Sequence, residues 1–473
     1  MRNWMHYLGS HYEAMREQYP NDKLLILFDV DGTILDMRYT MLYLLKAYDQ
    51  QFGTSYFDNL HISHITFSDA DIANGLRPFC IPVDEIEKIS RWYNENRWSL
   101  WAIFEANRPF PGVMEVIRWF QLQDNTFIGL NSGRSEVIRE DTIQSLNRLG
   151  QEYRVVFDDR LLKMKRKAGD KATCKVQAIK EFRDMGYRVI AMIDNEPGIL
   201  DRIAESDVAN EILLLHASTV FRHREVDDNT GAYHGNVYDL TELIPQRALP
   251  KHIQFVWNNI NNDSTLMRFI DSNVKWADIT GTTYNLLNKP IARIREEKET
   301  QSFYKYAAAF VENSKSMRIT IQPQVEQAEL LIDILADAGI DSSRLWLNGK
   351  IDALRKETFV LLSDIFPKAV IECPVDFLIP IILTTEDKAE HILDTYANWG
   401  INRFSLSWKS PNVKKALTIL DKLGFDVTIY DVVNLDEFLH AVLYLPTAIV
   451  SDFNFPMWES SKEKGKIKKS VTA

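Results

Sequence analysis

Short apolar runs separated by helix-length segments constrain this chain most. In the first half they fall at Leu24–Phe28, Phe127–Leu130, Arg154–Phe157, Val189–Ile193 and Ile212–Leu215. Strands that are apolar on both sides and joined by long crossovers belong in a parallel sheet, so the alternation predicts such a sheet with helices on both faces. The stretch 37–108 breaks the rhythm. It carries helical periodicity with Trp92, Trp98 and Trp101, and reads as a helical subdomain inserted between the first two strands.

A second alternation starts after "IPQRALPK", whose two prolines place a domain boundary near residue 247. Eight strand-like runs follow: "IQFVW", "VKWADIT", "MRITIQP", "RLWLNGKI", "AVIECPV", "RFSLSW", "DVTIYDV" and "AIVSDF". Helical patterns separate most of them, which suits a closed (β/α)8 barrel, a fold that typically takes about 250 residues. The chain of 473 residues also exceeds what one hydrophobic core organises. The expected architecture is α/β throughout: a Rossmann-like domain over 1–246 and a TIM-barrel-like domain over 247–456. Residues 457–473 are lysine-rich without apolar periodicity and are expected to form a disordered tail.

Charge and cysteine content exclude several functions. With 66 acidic against 55 basic residues the formal charge is -11, which disfavours nucleic acid as a partner. Cys80, Cys174 and Cys373 stand far apart, which argues against a disulfide framework or a cysteine-ligated metal and for a reducing compartment. No run approaches the ~18 apolar residues of a membrane span, and the first residues are too polar for a secretory signal. A cytoplasmic protein with no membrane partner is expected.

Chemistry concentrates in "LLILFDVDGTILD", from Leu24 to Asp36. In open parallel sheets ligands bind beyond the carboxyl ends of the strands, which is where Asp29 and Asp31 fall. Gly32 supplies a tight turn. One carboxylate can attack phosphorus and form an aspartyl-phosphate, while a second acid delivers the proton that the leaving alkoxide needs. The phosphate charge facing an aspartate calls for a hard divalent cation, magnesium being the natural choice. Other strand tips supply the rest: "IGLNSGR" offers Ser132 and the Gly133 backbone to phosphoryl oxygens, and "IAMIDNEPG" offers Asp194 and Asn195 to the metal. A lysine is needed as well, and several stand in "KMKRKAGDKATCKVQAIKEF".

These residues resemble the four motifs of the haloacid dehalogenase superfamily, over roughly residues 22 to 216. "DVDGT" is similar to the first motif, which implies Asp29 as nucleophile and Asp31 as general acid/base. "NSGR" resembles the second and implies Ser132 as phosphate ligand, with Gly133 and Arg134 beside it as substrate contacts. "KVQAIKEFRDMG" resembles the third, which favours Lys175 as the phosphate-binding lysine, with Lys171 in reserve. The fourth is usually an acidic pair, and here Asp194, Asn195 and Glu196 stand instead; the resemblance implies magnesium on Asp29, Asp31 and Asp194 with Asn195 assisting. It further implies a cap over the site and a small phosphorylated metabolite as substrate. Arg77, Arg91, Arg97 and Arg108 become candidates for reading the leaving group, against the ordinary solvation of surface arginine. Asp31-Gly32 as plain turn chemistry, Ser132 as cap of a helix from Arg134, and Asp194 as a helix cap are the bland readings. A dehalogenase leaves Asp31 without a task, whereas a phosphomutase also uses both aspartates.

The second half resembles, more weakly, glycerophosphodiester phosphodiesterase barrels and their menorin branch, through "RLWLNGKI", "VWNNINND" and the segment from "GFDVTIYDVV" to "AIVSDFNFP". The expected catalytic set is largely missing. Asn259 stands for the first histidine, Trp276 for the glutamate before Asp278, and Arg293 near the second histidine; "RITIQP" holds no acid. A non-catalytic barrel is therefore expected, serving binding, homo-oligomerisation or substrate recruitment. Asp278, Glu372 and Asp452 are candidates to line a pocket at the strand ends. Two further functions compete with a magnesium-dependent phosphatase: a sensor of a phosphorylated ligand, and a tandem phosphodiesterase and phosphatase.

Overall fold

The computed structural model describes residues 3–68, 71–165, 170–219, 231–243, 252–258, 260, 262–279, 298–321, 334–335, 338–351 and 355–451. The chain divides into two compact units, Met1–Pro245 and Gln246–Ala473. Asn259, Arg293, Asp452 and the tail 457–473 lie outside the described residues, as does the boundary near 247.

The first unit holds six parallel strands: β1 (Lys23–Phe28), β2 (Thr126–Ser135), β3 (Leu162–Lys165), β4 (Tyr187–Asp194), β5 (Leu213–Ala217) and β6 (Tyr233–Gly235). Their order across the sheet is β3-β2-β1-β4-β5-β6. Central β1 is buried from Leu24 to Phe28, because helices cover both its faces and no position can be polar without losing its water. Phe28 pairs with Leu130 on one side and Ile193 on the other, so the residues that follow each, Asp29, Asn131 and Asp194, are level. Asp29, the Asn131–Ser132 pair and Asp194 therefore emerge at one edge.

One expected strand is absent and one strand was not expected. Arg154–Phe157 is not a strand: Arg154 adopts the left-handed region (φ 56°) and closes a 3-10 turn, Gln151–Tyr153. Val155 and Phe157 are buried as loop residues, and the Asn147 side chain bonds the Phe157 backbone in both directions, at 2.7 and 3.2 Å. The third strand forms instead at Leu162–Lys165. Edge strand β6 was hidden in a polar stretch; Tyr233 stacks on Tyr7 at 3.9 Å and the Trp4 indole donates to Val237 O at 2.6 Å, so the N-terminal helix Trp4–Gln18 secures that edge.

The insertion is helical, as expected, with helices Met37–Phe52, Val83–Asn96 and Leu100–Glu105 around a core that includes Met41, Leu44, Tyr48, Ile89 and Tyr93. Its two connections run side by side, Asp36 N donating to Arg108 O and Phe110 N to Ile34 O, each at 2.9 Å.

The second unit is a closed barrel of eight parallel strands, one for each predicted run: β7 (Gln254–Trp257), β8 (Trp276–Asp278), β9 (Ser316–Thr320), β10 (Leu345–Asn348), β11 (Val370–Pro374), β12 (Arg403–Ser407), β13 (Val427–Val432) and β14 (Ala448–Ser451). Closure comes from β14 pairing with β7, Val450 opposite Val256. Val256, Trp276, Trp346, Ala448 and Val450 pack together inside it. No helix among the described residues is long and apolar enough to cross a membrane.

Candidate active site

Asp29 follows β1 directly, its backbone N–H donating to Ile193 O at 2.9 Å. Asp194 ends the neighbouring strand β4. Between them reaches Lys175, from helix Lys171–Asp184, whose start is capped by the Asp170 carboxylate on Thr173 N. The Lys175 ammonium donates to Asp29 Oδ1 at 2.7 Å and to Asp194 Oδ2 at 2.6 Å. Asn131 Nδ2 donates to Lys175 O at 3.0 Å, which ties this helix to the tip of β2. All three charged groups are buried, with exposures of 5%, 0% and 2% for Asp29, Asp194 and Lys175.

Burial sets the electrostatics. The Asp29 carboxyl is raised to about 7: desolvation is the main cause, Lys175 opposes it, and Asp194 and Asp31 add to it. Asp194 is raised by the same loss of water, against the opposing pull of Lys175. Burial alone would favour neutral Lys175, but Asp194 and Asp29 outweigh it and hold the ammonium above the usual lysine range.

Asp31 is placed differently. Its carboxylate is gripped side-on by Arg134, Nε to Oδ2 at 2.8 Å and Nη2 to Oδ1 at 2.7 Å. Arg134 is buried, gives Nη1 to Thr142 Oγ1 at 3.2 Å, and lies 4.8 Å from the ring centroid of Trp98. The insertion thus lays an aromatic face on the arginine that holds the second carboxylate. Trp98 and Thr142 carry no motif, and only the tertiary structure gives them this place.

Gly32 has φ +83°, and a Cβ there would come within 2.2 Å of Asn195 Nδ2, so the turn after Asp31 accepts glycine and little else. Thr219 Oγ1 donates to Gly32 O at 2.6 Å and the buried Tyr238 hydroxyl donates to Thr33 O at 2.9 Å. Both residues brace the loop from segments that the sequence presents as featureless and polar.

Ser132 is buried, and its hydroxyl accepts from Arg134 N at 3.1 Å. Arg134 belongs to β2, and the helix after it starts at Arg139, so Ser132 is not its cap. A Cβ on Gly133 would lie 3.3 Å from Lys171 Cδ, which puts the Lys171 stem across the Gly133 backbone. The Lys171 ammonium meets Glu196 at 2.9 Å and is half-exposed. Arg77 is exposed on a 3-10 turn, Arg77–Phe79, and among the described residues makes no hydrogen bond to this group. Arg97 lies 5.2 Å from the Trp98 ring, and Arg108 donates to the carbonyls of Glu105 and Asn107.

The donor set suits a hard divalent cation. Asp29 and Asp194 are buried carboxylates on neighbouring strands with Asn195 next in the chain, and magnesium needs one or two carboxylates, completing its shell with water and phosphate. No cluster of three or more His, Cys, Asp or Glu gathered to hold a metal occurs among the described residues. Arg134 takes both oxygens of the Asp31 carboxylate, whereas Lys175 takes one oxygen each of Asp29 and Asp194.

In the barrel, Asp278 and Glu372 do not line an open pocket. The Arg318 guanidinium sits between them, Nη1 on Asp278 and Nη2 on Glu372 Oε1 at 2.5 Å, and Trp346 Nε1 donates to Glu372 Oε2 at 3.0 Å. A pocket of about 440 Å³ at the carboxyl ends of β11–β13 is lined instead by Lys350, Pro374, Asp376, Ser407, Ser410 and Tyr430, among others.

No family model matches the chain, and no curated protein does. Solved structures similar to it include a phosphodiesterase from Oleispira antarctica, at 11% identity and TM-score 0.31, covering 48% of this chain and 98% of that one. Another is a Clostridium difficile protein described as a phosphatase, at 15% identity and TM-score 0.33, covering 47% and 99%. A Lactobacillus plantarum protein described as a phosphoglycolate phosphatase is 13% identical with TM-score 0.27, covering 47% and 99%.

Proposed function

We propose that the first unit hydrolyses small phosphate monoesters through an aspartyl-phosphate on Asp29, with magnesium as cofactor. The observation that carries this reading is the buried ammonium of Lys175, 2.7 Å from Asp29 and 2.6 Å from Asp194. A nucleophilic carboxylate can meet a phosphate dianion only where positive charge is fixed nearby, and in a dry site that charge acts at full strength.

Asp29 attacks phosphorus and the ester oxygen leaves. Asp31 gives that oxygen its proton, then takes one from the water that attacks the phosphoaspartate, so phosphate departs and Asp29 is restored. Ser132 and the Gly133 backbone orient the phosphoryl oxygens, and Lys175 and Lys171 offset their charge. Asp29 and Asp194, with Asn195 beside them, would hold magnesium, which would neutralise further phosphoryl charge. Arg134 orients the Asp31 carboxyl until substrate arrives, and Arg77 remains a distal candidate for the leaving group. The barrel then serves as an accessory domain, its two carboxylates being tied to Arg318 rather than offered to a metal. A cytoplasmic location fits three free cysteines among the described residues.

The test is phosphate release from p-nitrophenyl phosphate with magnesium. Asp29→Asn should abolish turnover, and Asp31→Asn should slow it by about 10²–10⁴-fold, the usual worth of a positioned acid/base. Equal rates in parent and Asp29→Asn would sink the assignment. Release that survives chelation would remove magnesium from it.

A further inference from the structure

The phosphatase chemistry of the first unit leaves the barrel pocket of about 440 Å³ without a task. Its volume falls within the range of small-molecule sites, about 300–1,000 Å³. It also opens at the carboxyl ends of the strands, the end of such barrels where ligands bind. Four consecutive strands, β10 to β13, or the turns just after them, line it. Its surface is of three kinds: a carboxylate, an ammonium and an apolar wall.

The carboxylate is Asp376, in the 3-10 turn Asp376–Leu378 after β11. Its Oδ1 accepts from Ser407 N at 2.8 Å and from Ser410 Oγ at 2.5 Å, and its Oδ2 from the Tyr430 hydroxyl at 2.7 Å. Burial and the bond to Asp376 raise the Tyr430 phenol above its ordinary range, so it stays a donor. None of the three donors is a cation, so they orient the carboxylate without cancelling its charge. An ionised carboxylate offers about four acceptor sites, which leaves one open here. The ammonium is Lys350, exposed on the loop after β10, with no hydrogen-bond or ion-pair partner among the described residues. Lys350 and Asp376 thus line one pocket without pairing with each other. The apolar wall is Ile351, Pro374 and Phe377, the last a ring left 54% exposed beside the cavity. A bare anion in this pocket would face Asp376, and a bare cation would face Lys350. A molecule that carries both charges on an apolar body meets each with its opposite.

We propose that this pocket binds a free apolar amino acid, its ammonium at Asp376, its carboxylate at Lys350, and its side chain on Ile351, Pro374 and Phe377. The Asp376 frame holds the carboxylate in place before the ligand arrives, so no ordering of that side chain has to accompany binding. The site lies within the second unit and is independent of the phosphatase chemistry of the first.

Calorimetric titration of the full chain with L-leucine and with L-phenylalanine tests this. Isoamylamine and 4-methylpentanoate, which keep the leucine side chain with one charge each, are the controls. Saturable binding of at least one of the two amino acids is expected, with both single-charge analogues about tenfold weaker or more. Lys350→Met should weaken amino-acid binding about threefold, the worth of an exposed charge pair. Asp376→Asn should weaken it about tenfold, since the amide oxygen can keep the Ser407 and Ser410 bonds while the charge is lost. Lys350 has no contact whose loss could disturb folding, so its result stands even where the Asp376 variant fails to fold. No saturable heat with either amino acid at millimolar concentration overturns the proposal. So does equal affinity for leucine and either analogue, or an affinity unchanged in Lys350→Met.

Discussion

Replacing Lys175 by methionine leaves Asp29 and Asp194 buried side by side with their shared cation gone. Without the ammonium neither buried carboxyl is held ionised, so the variant should take up a proton on Asp194 in addition to the one that Asp29, raised to about 7, already takes up in the parent. Holding a carboxyl of ordinary pKa 3.8 protonated at pH 7 costs about 4.4 kcal/mol, at about 1.36 kcal/mol per unit. The same proton costs about 1.6 kcal/mol at pH 5. The sign follows from linkage: in the variant the folded-state pKa lies above the unfolded value, so its stability is fully present below the unfolded pKa and is lost as pH rises toward the folded one. The deficit relative to the parent should therefore be about 4 kcal/mol at pH 7, within the usual range for stranding one side of a buried pair. It should shrink by about 2.7 kcal/mol at pH 5. In a unit of this size a loss of 4 kcal/mol lowers the midpoint by about 8–16 °C. Urea or thermal unfolding of full-length parent and Lys175→Met without divalent cations, at both pH values, measures it. A deficit that is the same at pH 5 and pH 7, or below about 1 kcal/mol throughout, refutes the reasoning.

Arg318→Met should destabilise the barrel by about 3–5 kcal/mol in urea unfolding, because Asp278 and Glu372 lose their common partner. Adding Asp278→Asn and Glu372→Gln should recover most of that loss; no recovery would mean that packing, not charge, held Arg318 in place. Trp98→Ala should cost about 1 kcal/mol, the worth of a partly desolvated cation–π contact with Arg134, and should lower phosphate release several-fold. Trp98→Phe, which keeps an aromatic face, should restore release, and the comparison is made at saturating and limiting p-nitrophenyl phosphate.

What could be read in advance follows a physical divide. The tips of β1 and β4 were legible because a strand buried on both faces must be apolar, so the first polar residue of the run marks its end; Asp29 and Asp194 obey this, whereas β2 runs on past Asn131 to Ser135. Lys175 was legible only through the resemblance of "KVQAIKEFRDMG" to the third motif, since the residues by themselves left several lysines open. The grip of Arg134 on Asp31 beneath Trp98 was not, since it joins three segments with no periodic relation. Val155 and Phe157 were misread for a related reason: two apolar residues at a spacing of two look like strand, and nothing local reveals that Arg154 has turned the chain.

The barrel inverts the usual reading of alternation. In "RFSLS" the polar residues suggest a face turned to water, as in a half-exposed antiparallel strand. Inside a barrel wrapped by helices the outward face is the apolar one, so Phe404 and Leu406 point to the helices and Arg403, Ser405 and Ser407 point inward. The same holds for "SMRIT", where Met317 and Ile319 alternate with Ser316 and Arg318. Polarity that would be solvation in an open sheet becomes, on closure, a set of buried groups that must find one another or a guest. Arg318 has found Asp278 and Glu372, and the Arg403 guanidinium lies over the Trp346 ring within the through-space pull of Glu372, so closing this sheet gathers two cations and two carboxylates inside it.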